Sequence, residues 1–202
     1  MLRNGLPQTS ELLGKKRFDA AATAYLAAGG PQNRFIRNIV QELLEQSLPA
    51  WEADTSLPAH LGDLARYEAT KWRVSSVEWL TTEETAEELD FEGVPVHNPS
   101  VRALEVRFRV DRRDERKNEA LPRPRRLLVY RKPSDAKIYS YLLSPLGAEL
   151  FDAWQEPDRS LADGVRAWLA AQPGEPTASF VDDMASVLAS LVERDIILGS
   201  RV

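Results

Sequence analysis

Residues 126–154, "RLLVYRKPSDAKIYSYLLSPLGAELFDAW", decide which fold this sequence predicts. "RLLVYR" and "AKIYSYLLS" are typical of strands, and "KPSD" between them is rich in turn-forming residues. Ser144 can cap a helix and Pro145 suits its first position, so a helix is expected over 145–154. The stretch predicts a β-hairpin followed directly by a helix. It leaves open whether the second strand only packs or keeps an edge free for another chain.

Two further helices are predicted after this stretch. "SLADGVRAWLAAQ" begins with Ser160 and has Asp163 three residues later, which resembles a capping box. "TASFVDDMASVLASLVERD" carries an inward apolar stripe made of Phe180, Met184, Val187, Leu188 and Leu191. "IILGS" then ends the domain as a short apolar strand or an extended tail.

A third strand is predicted upstream, in "VRALEVRFRV" at residues 101–110. Its apolar and polar residues alternate with the period of two that marks a strand with one wet face. The charged "DRRDERKNEALPRP" at 111–124 is predicted to be a mobile loop. The order strand, strand, strand, helix, helix, helix predicts a winged-helix-like domain over residues 97–202.

The first 80 residues predict a small helical domain. Helices are expected in "KRFDAAATAYLAA" (16–28), in "QNRFIRNIVQELLEQSL" (32–48) and from Leu61 to Leu80. Residues 81–100, "TTEETAEELDFEGVPVHNPS", are predicted to form a linker or a short extra helix. The predicted fold class is therefore α+β, with a helical domain and linker over 1–96 before the domain at 97–202.

Composition narrows the classes of protein. Hydrophobic residues make up 43% and charged residues 28%, as in ordinary globular proteins. No apolar run approaches the roughly 20 residues that span a bilayer, and the N-terminus lacks a signal peptide's apolar segment. We therefore expect a cytoplasmic protein with no membrane partner. The chain has no cysteine, which excludes disulfides, thiolate metal sites and a cysteine nucleophile.

The net charge of −5 conceals a basic segment. Residues 102–137 contain 13 Lys or Arg and 6 Asp or Glu, whereas the remainder contains 13 basic and 25 acidic residues. The segment is either a solvated face or a landing surface for an acidic partner, namely nucleic acid or an acidic peptide.

Residue patterns for catalysis are missing from the sequence. His60 and His97 lie in no metal-ligand spacing, and there is no phosphate loop or nucleophile elbow. Asp63 and Glu68 are expected to complement the dipole of their helix. We expect no catalytic residue, no metal ligand and no cofactor in this chain, which favours a binding module over an enzyme.

The C-terminal segments resemble a known family. "LLVYRKPSDAKIYSYLLSPLGAELFDAW", "SLADGVRAWLAA" and "FVDDMASVLASLVERDIILGS" resemble the peptide-recognition domains of ribosomally made natural-product pathways. The small pyrroloquinoline quinone chaperone is the best-known member of that family. Its pattern has a strand ending in a small polar residue, a helix with an A-x-L core, a Ser-capped second helix and a third helix closed by "L..L...G.I". Asp195 stands where the family often has glycine.

The N-terminal part resembles a second family. "FIRNIVQELLEQ" through "LPAHLGDLARYEATKWRVS" is similar to a helical domain found beside multinuclear non-haem iron enzymes. With "HNPSVRALEVRFRV" as the connecting strand, the whole chain resembles the partner subunits of iron oxidases in 3-thiaglutamate and methanobactin biosynthesis. The 3-thiaglutamate type is favoured.

The resemblance implies a non-catalytic subunit. It would bind the leader of a precursor peptide and form a heterodimer with a TIM-barrel multinuclear iron enzyme, which oxidatively rearranges a C-terminal cysteine. The iron is expected in that partner and not in this chain.

The resemblance also implies where the peptide binds, because in those domains the leader pairs with the third strand and packs against the third helix. The corresponding strand residues are Ile138, Tyr139, Ser140, Tyr141 and Leu142, and the helix residues are Phe180, Asp183, Val187, Ser190 and Arg194. Tyr139 and Tyr141 share one face, and the sequence leaves open which face is buried. For Phe180 and Val187, packing in the core is the alternative role.

A winged-helix DNA-binding regulator is the alternative function, motivated by the arginines between residues 102 and 131. The acidic third helix, with Asp182, Asp183 and Glu193, argues against it because a recognition helix needs side chains that read bases. Nucleic acid is therefore not the expected partner.

Overall fold

The computed structural model describes residues 1–32, 38–77, 88–112, 114, 117–174 and 177–201. These residues form seven helices and two small antiparallel sheets, so the predicted α+β class is confirmed. They divide into two compact units. Unit 1 comprises Met1–Val77 and Arg102–Val129, and unit 2 comprises the described residues of Glu78–Val101 and Tyr130–Val202. Each unit is made of two separate chain segments, whereas the two predicted domains, 1–96 and 97–202, are each one continuous segment. The predicted division stays a prediction.

Unit 1 contains four helices. They are α1 (Leu2–Gly5), α2 (Pro7–Ala27), α3 (Ile39–Ala53) and α4 (Leu61–Ser75). The three predicted helices correspond to the part of α2 after Gly14, to α3 and to α4. The segment of α2 before Gly14 was not predicted. The predicted helix residues 33–37 and 78–80 lie outside the described residues.

The apolar stripes of α3 and α4 meet in the core of unit 1, which confirms their predicted periodicity. The buried residues of this core are Leu6, Leu13, Phe18, Tyr25, Val40, Leu43, Leu44, Trp51, Leu61, Ala65 and Ala69. Helix α2 bends at Gly14, whose φ of 71° lies in the left-handed region that glycine adopts without strain. The bend divides α2 into two segments.

Glu68 of α4 is buried and caps the start of α2. It was expected instead to complement the dipole of its own helix. Its Oε1 accepts a hydrogen bond from the backbone N–H of Gln8, and its Oε2 accepts one from the N–H of Thr9, both at 2.9 Å. These N–H groups belong to the first turn of α2, where no intrahelical acceptor exists. The carboxylate therefore fixes the start of α2 against α4.

Strands β2 (Arg102–Phe108) and β3 (Ala120–Arg131) pair in antiparallel fashion. The predicted alternation of β2 is confirmed, since its exposed residues are Ala103, Glu105 and Arg107. The prediction of a loop through residue 124 is wrong, because β3 begins at Ala120. The register passes from Val106↔Arg125 to Phe108↔Ala120, so residues 121–124 bulge opposite a single residue of β2. Prolines are tolerated in such a bulge because it needs no regular ladder bonds.

Unit 2 contains a second sheet that the sequence did not predict. Strand β1 (Val94–His97) pairs antiparallel with β5 (Ile197–Arg201), with Val94 opposite Arg201. The expectation of a linker or short helix around β1 is therefore wrong for these four residues. Of the two alternatives expected for "IILGS", a short strand or an extended tail, the structure has the strand.

The described residues of unit 2 also form one further strand and three helices. After β3 come β4 (Ile138–Leu142), α5 (Pro145–Ala153), α6 (Leu161–Ala171) and α7 (Phe180–Glu193). Ser144 Oγ accepts a hydrogen bond from Gly147 N at 2.9 Å, and Ser160 Oγ accepts one from Asp163 N at 3.0 Å. Both predicted N-caps are confirmed.

Asp195, just after α7, adopts a left-handed φ of 56°. Glycine usually occupies this position after a helix, although Asp tolerates it better than most residues. Buried Asn98 donates a hydrogen bond from Nδ2 to the Asp195 carbonyl at 2.8 Å and another to the Arg131 carbonyl at 2.9 Å. Asn98 therefore joins the end of β3 to the end of α7.

Candidate functional site

Strand β4 lies at an edge of the three-stranded sheet, whose order is β2-β3-β4. In the described part of the chain, no strand pairs with its other side. At β2, on the other side of the sheet, a carboxylate caps the end of the strand: Asp63 Oδ2 of α4 accepts hydrogen bonds from the N–H groups of Arg107 (2.5 Å) and Phe108 (3.0 Å). An edge strand offers its main chain to an added strand.

Tyr139 is the most exposed residue of β4, at 36%. Its ring stacks on Tyr130 with a centroid distance of 6.1 Å, and the Lys132 ammonium lies 5.6 Å from its centre. Its hydroxyl donates a hydrogen bond to Asp135 Oδ2 at 2.7 Å, which raises the pKa of Tyr139 and lowers the pKa of the Asp135 carboxyl. The exposed tyrosine is therefore held in one orientation.

Tyr141 is half-buried because Arg194, just beyond α7, covers its ring. The Arg194 guanidinium carbon lies 4.5 Å from the ring centre. Arg194 Nη1 also donates to the Ser190 carbonyl at 3.3 Å and pairs with Glu193 at 3.2 Å. Lys132 adds a second link, since its Nζ donates to the Glu193 carbonyl at 3.3 Å. The C-terminal end of α7 thus lies against the tyrosine face of β4.

The site residues predicted on α7 have different surroundings. Ser190 and Arg194 lie at the end of α7 that meets β4, and Val187 lies beside Gly147 of α5. Phe180 is 7% exposed and stacks on Trp168 of α6 at a centroid distance of 5.0 Å. Asp183 is exposed and accepts a hydrogen bond from Ser179 Oγ at 3.0 Å.

The predicted inward stripe of α7 is only partly buried. Phe180 and Leu191 are buried, whereas Met184, Val187 and Leu188 are half-buried. One flank of α7 therefore keeps partly accessible apolar surface. Sequence reasoning missed Tyr130, Lys132 and Asp135 as neighbours of the site. The available signal was their position, because Lys132 and Asp135 belong to the turn "KPSD" and Tyr130 lies two residues before it.

Both histidines make ordinary structural contacts. His97 Nε2 donates to the Trp154 carbonyl at 2.8 Å, and burial lowers the pKa of His97. Burial also lowers the pKa of His60, to which the nearby Lys117 ammonium contributes. Within the described ranges, no three His, Asp or Glu side chains are grouped as ligands of a metal ion.

None of the described helices has the length and apolar character required to cross a bilayer. No protein-family model matches this chain, and no curated protein matches it either.

Proposed function

We propose that this chain is a non-catalytic partner subunit that binds the leader of a ribosomally made precursor peptide along β4. The carrying observation is that β4 is an edge strand of the sheet and lies beside the end of α7. The order β2, β3, β4, α5, α6, α7 supports a winged-helix-like recognition domain.

Binding would proceed by β-augmentation, in which the leader adds a strand to β4. Main-chain hydrogen bonds supply affinity, and alternate side chains of the leader supply selectivity. Tyr139 and Tyr141 lie on the face that meets Arg194 and Lys132, and half-buried Val187 offers an apolar contact for a leader side chain. Phe180 acts mainly in packing, since Trp168 covers it.

The second part of the proposal is a heterodimer with a TIM-barrel multinuclear iron enzyme that acts on a C-terminal cysteine of the peptide, in a pathway of the 3-thiaglutamate type. It rests on the sequence resemblance. The iron would belong to the enzyme, while this chain presents the substrate.

Calorimetric titration of the full chain with a synthetic acidic-hydrophobic leader peptide tests the proposal. Tyr141→Pro removes a backbone N–H from β4 and should abolish binding, whereas Tyr141→Phe preserves the strand and should bind like the wild type. Arg194→Glu supplies a variant that leaves the strand backbone intact and should weaken binding. Equal affinities of the wild type and Tyr141→Pro for the leader peptide would contradict the proposal, provided that circular dichroism shows both proteins to be folded.

DNA binding is the alternative function, and it can be tested on the same purified protein. Asp182 and Asp183 lie in the first turn of α7, where they would repel phosphates. Duplex binding that weakens steeply with salt and is lost on substituting arginines of residues 102–131 would replace the peptide proposal.

A further inference from the structure

Lys132, the first residue of the turn "KPSD", contacts both walls of the proposed leader site. Its ammonium lies 5.6 Å from the centre of the Tyr139 ring on β4. At the end of α7, the same Nζ donates a hydrogen bond to the Glu193 carbonyl at 3.3 Å and lies 3.5 Å from Asp195 Oδ2. One side chain therefore joins the exposed tyrosine of β4 to the end of the helix.

The backbone of Lys132 is held within the turn. Its N–H donates to the Lys137 carbonyl, and its own carbonyl accepts from the Ala136 N–H, both at 3.0 Å. The Lys132 side chain is 24% exposed, so water and salt screen its ion pair with Asp195 only in part. A lysine that is fixed at its base and partly buried along its length has little freedom to leave this position.

The end of α7 is a favourable place for a cation. The last carbonyls of a helix lack intrahelical donors, and they lie at the negative end of the helix dipole. Arg194 bonds to the Ser190 carbonyl from just beyond the helix, and Lys132 reaches the Glu193 carbonyl from the hairpin. The two cations therefore stabilise the end of α7 against β4.

Buried Asn98 fixes the adjoining backbone independently of Lys132. Its Nδ2 donates to the Arg131 carbonyl at 2.9 Å and to the Asp195 carbonyl at 2.8 Å. These bonds keep the ends of β3 and α7 joined even where the Lys132 ammonium is removed. What Lys132 adds is the link from this frame to the Tyr139 ring.

We propose that Lys132 is a positioning residue of the leader site, which holds the Tyr139 ring and the end of α7 in the binding arrangement before the leader arrives. This role rests on the proposed leader binding and belongs to a residue outside both β4 and α7. Ordering a mobile side chain during binding weakens affinity. Because Tyr139 is already held by Tyr130, Asp135 and Lys132, binding avoids that loss.

Lys132 acts through Tyr139 and not as a direct ligand of the leader, because its charge is already paired with Asp195. The two roles have different kinetic consequences. Loss of a positioning residue lowers the fraction of free protein that is competent to bind, and therefore lowers the association rate constant. Loss of a direct contact weakens the complex itself and raises the dissociation rate constant.

NMR of the free full chain, labelled on its five tyrosines, is the first test. Tyr139→Phe identifies the Tyr139 signal, whose chemical shift reports the stacking on Tyr130. Lys132→Met should move this signal towards that of an unstacked tyrosine, whereas Lys132→Arg keeps the cation and should retain it. Lys137→Met makes the same change on an exposed lysine of the hairpin and is the matched control. An unchanged signal in Lys132→Met, or an equal change in Lys137→Met, would overturn the proposal.

Stopped-flow binding of the synthetic acidic-hydrophobic leader peptide is the second test. Lys132→Met should lower the association rate constant about three- to tenfold, the effect of ordering one side chain, and leave the dissociation rate constant unchanged. Lys132→Arg and Lys137→Met should both bind like the wild type. Thermal unfolding should show that Lys132→Met stays folded, since the Asn98 bonds remain.

The outcomes separate this role from leader binding itself. Wild-type rates in Lys132→Met, or a loss that lies in the dissociation rate constant, would overturn the positioning role and leave leader binding intact. Unfolding of Lys132→Met would show that Lys132 is needed for the fold and would also overturn the role. A wild-type protein that fails to bind the leader would contradict the proposed function, and the positioning role with it.

Discussion

The guanidinium carbon of Arg194 lies 4.5 Å from the centre of the Tyr141 ring, which ties the end of α7 to strand β4. A cation–π contact of this kind contributes about 0.5–1 kcal/mol at an exposed site. We expect a double-mutant cycle with Arg194→Ala and Tyr141→Leu to give a coupling free energy in that range, measured by urea denaturation. Additive effects of the two substitutions would show that the contact is energetically neutral.

Asp63→Ala should destabilise the protein far more than Glu52→Ala. Both carboxylates pair with Arg66, but Asp63 is buried and also accepts the Arg107 and Phe108 N–H groups. Leaving buried donors without an acceptor costs about 1–3 kcal/mol, whereas an exposed ion pair contributes about 0–1 kcal/mol. Urea denaturation of the two variants measures the difference. Equal destabilisation would contradict the structural role assigned to Asp63.

Removing the helix caps in unit 2 gives a matched series. Ser144→Ala and Ser160→Ala should each lower the free energy of unfolding by about 1 kcal/mol, because each hydroxyl accepts a first-turn N–H. Ser179→Ala is the control, since Ser179 stands at the N-cap of α7 without a capping bond. Hydrogen exchange should accelerate at Gly147 and Asp163 in the respective variants. A Ser179→Ala effect as large as the others would contradict this assignment.

Stability should fall as pH drops below about 6.5 because of His97. Burial lowers the pKa of His97 from its ordinary 6.5, so the unfolded chain binds a proton at a pH where the folded chain does not. Protonation then favours unfolding, and the loss continues until pH reaches the folded-state pKa. We expect His97→Gln to reduce the change in unfolding free energy between about pH 7.5 and about pH 5.5.

His60 titrates in the same window, because its pKa is also lowered by burial. The double variant His60→Gln/His97→Gln should therefore have the flattest pH dependence. The pH dependence that remains in the double variant measures the contribution of the carboxylates. Three carboxyl groups have lowered pKa values and affect stability near and below about pH 4, namely Asp54, Asp135 and Asp163. If the unfolding free energy of His97→Gln changed with pH as steeply as that of the wild type, His97 would be excluded as a source of the pH dependence.

Gly164→Ala should be poorly tolerated. A Cβ at Gly164 would lie 2.5 Å from Cδ1 of buried Trp154, whose indole N–H donates to the Leu161 carbonyl. Overpacking of this kind costs about 1–3 kcal/mol. Gly174→Ala is the control, because a Cβ there meets no atom within 4 Å. Thermal unfolding should show a lower midpoint for the first variant only.

The predictions that succeeded rest on local signals. Ser144 and Ser160 cap the helices that follow them, and "KPSD" turns between β3 and β4, because each feature depends on residues a few positions apart. The alternation in β2 was likewise visible within one strand. Such features need no knowledge of distant neighbours.

The predictions that failed depend on distant partners. Strand β1 is short and contains Pro95, and only its pairing with β5 makes it a strand. Asp63 and Glu68 resemble ordinary charges of a helix, yet each bonds to backbone N–H groups of another element. For the candidate site, the sequence resemblance supplied β4 and α7, but the Arg194–Tyr141 contact depends on tertiary packing.

The interleaving of the two units bears on how the protein is made. Residues 1–77 leave the ribosome before β2 and β3, so the Asp63 carboxylate meets the Arg107 and Phe108 N–H groups only after β1 of the other unit has emerged. Strand β1 can pair only after β5 has been synthesised, and β5 comes last among the described strands. Domains generally fold one after another during synthesis. Unit 1 is incomplete when unit 2 begins, so a single cut after residue 96 would divide β1 and would separate Asp63 from the Arg107 and Phe108 N–H groups.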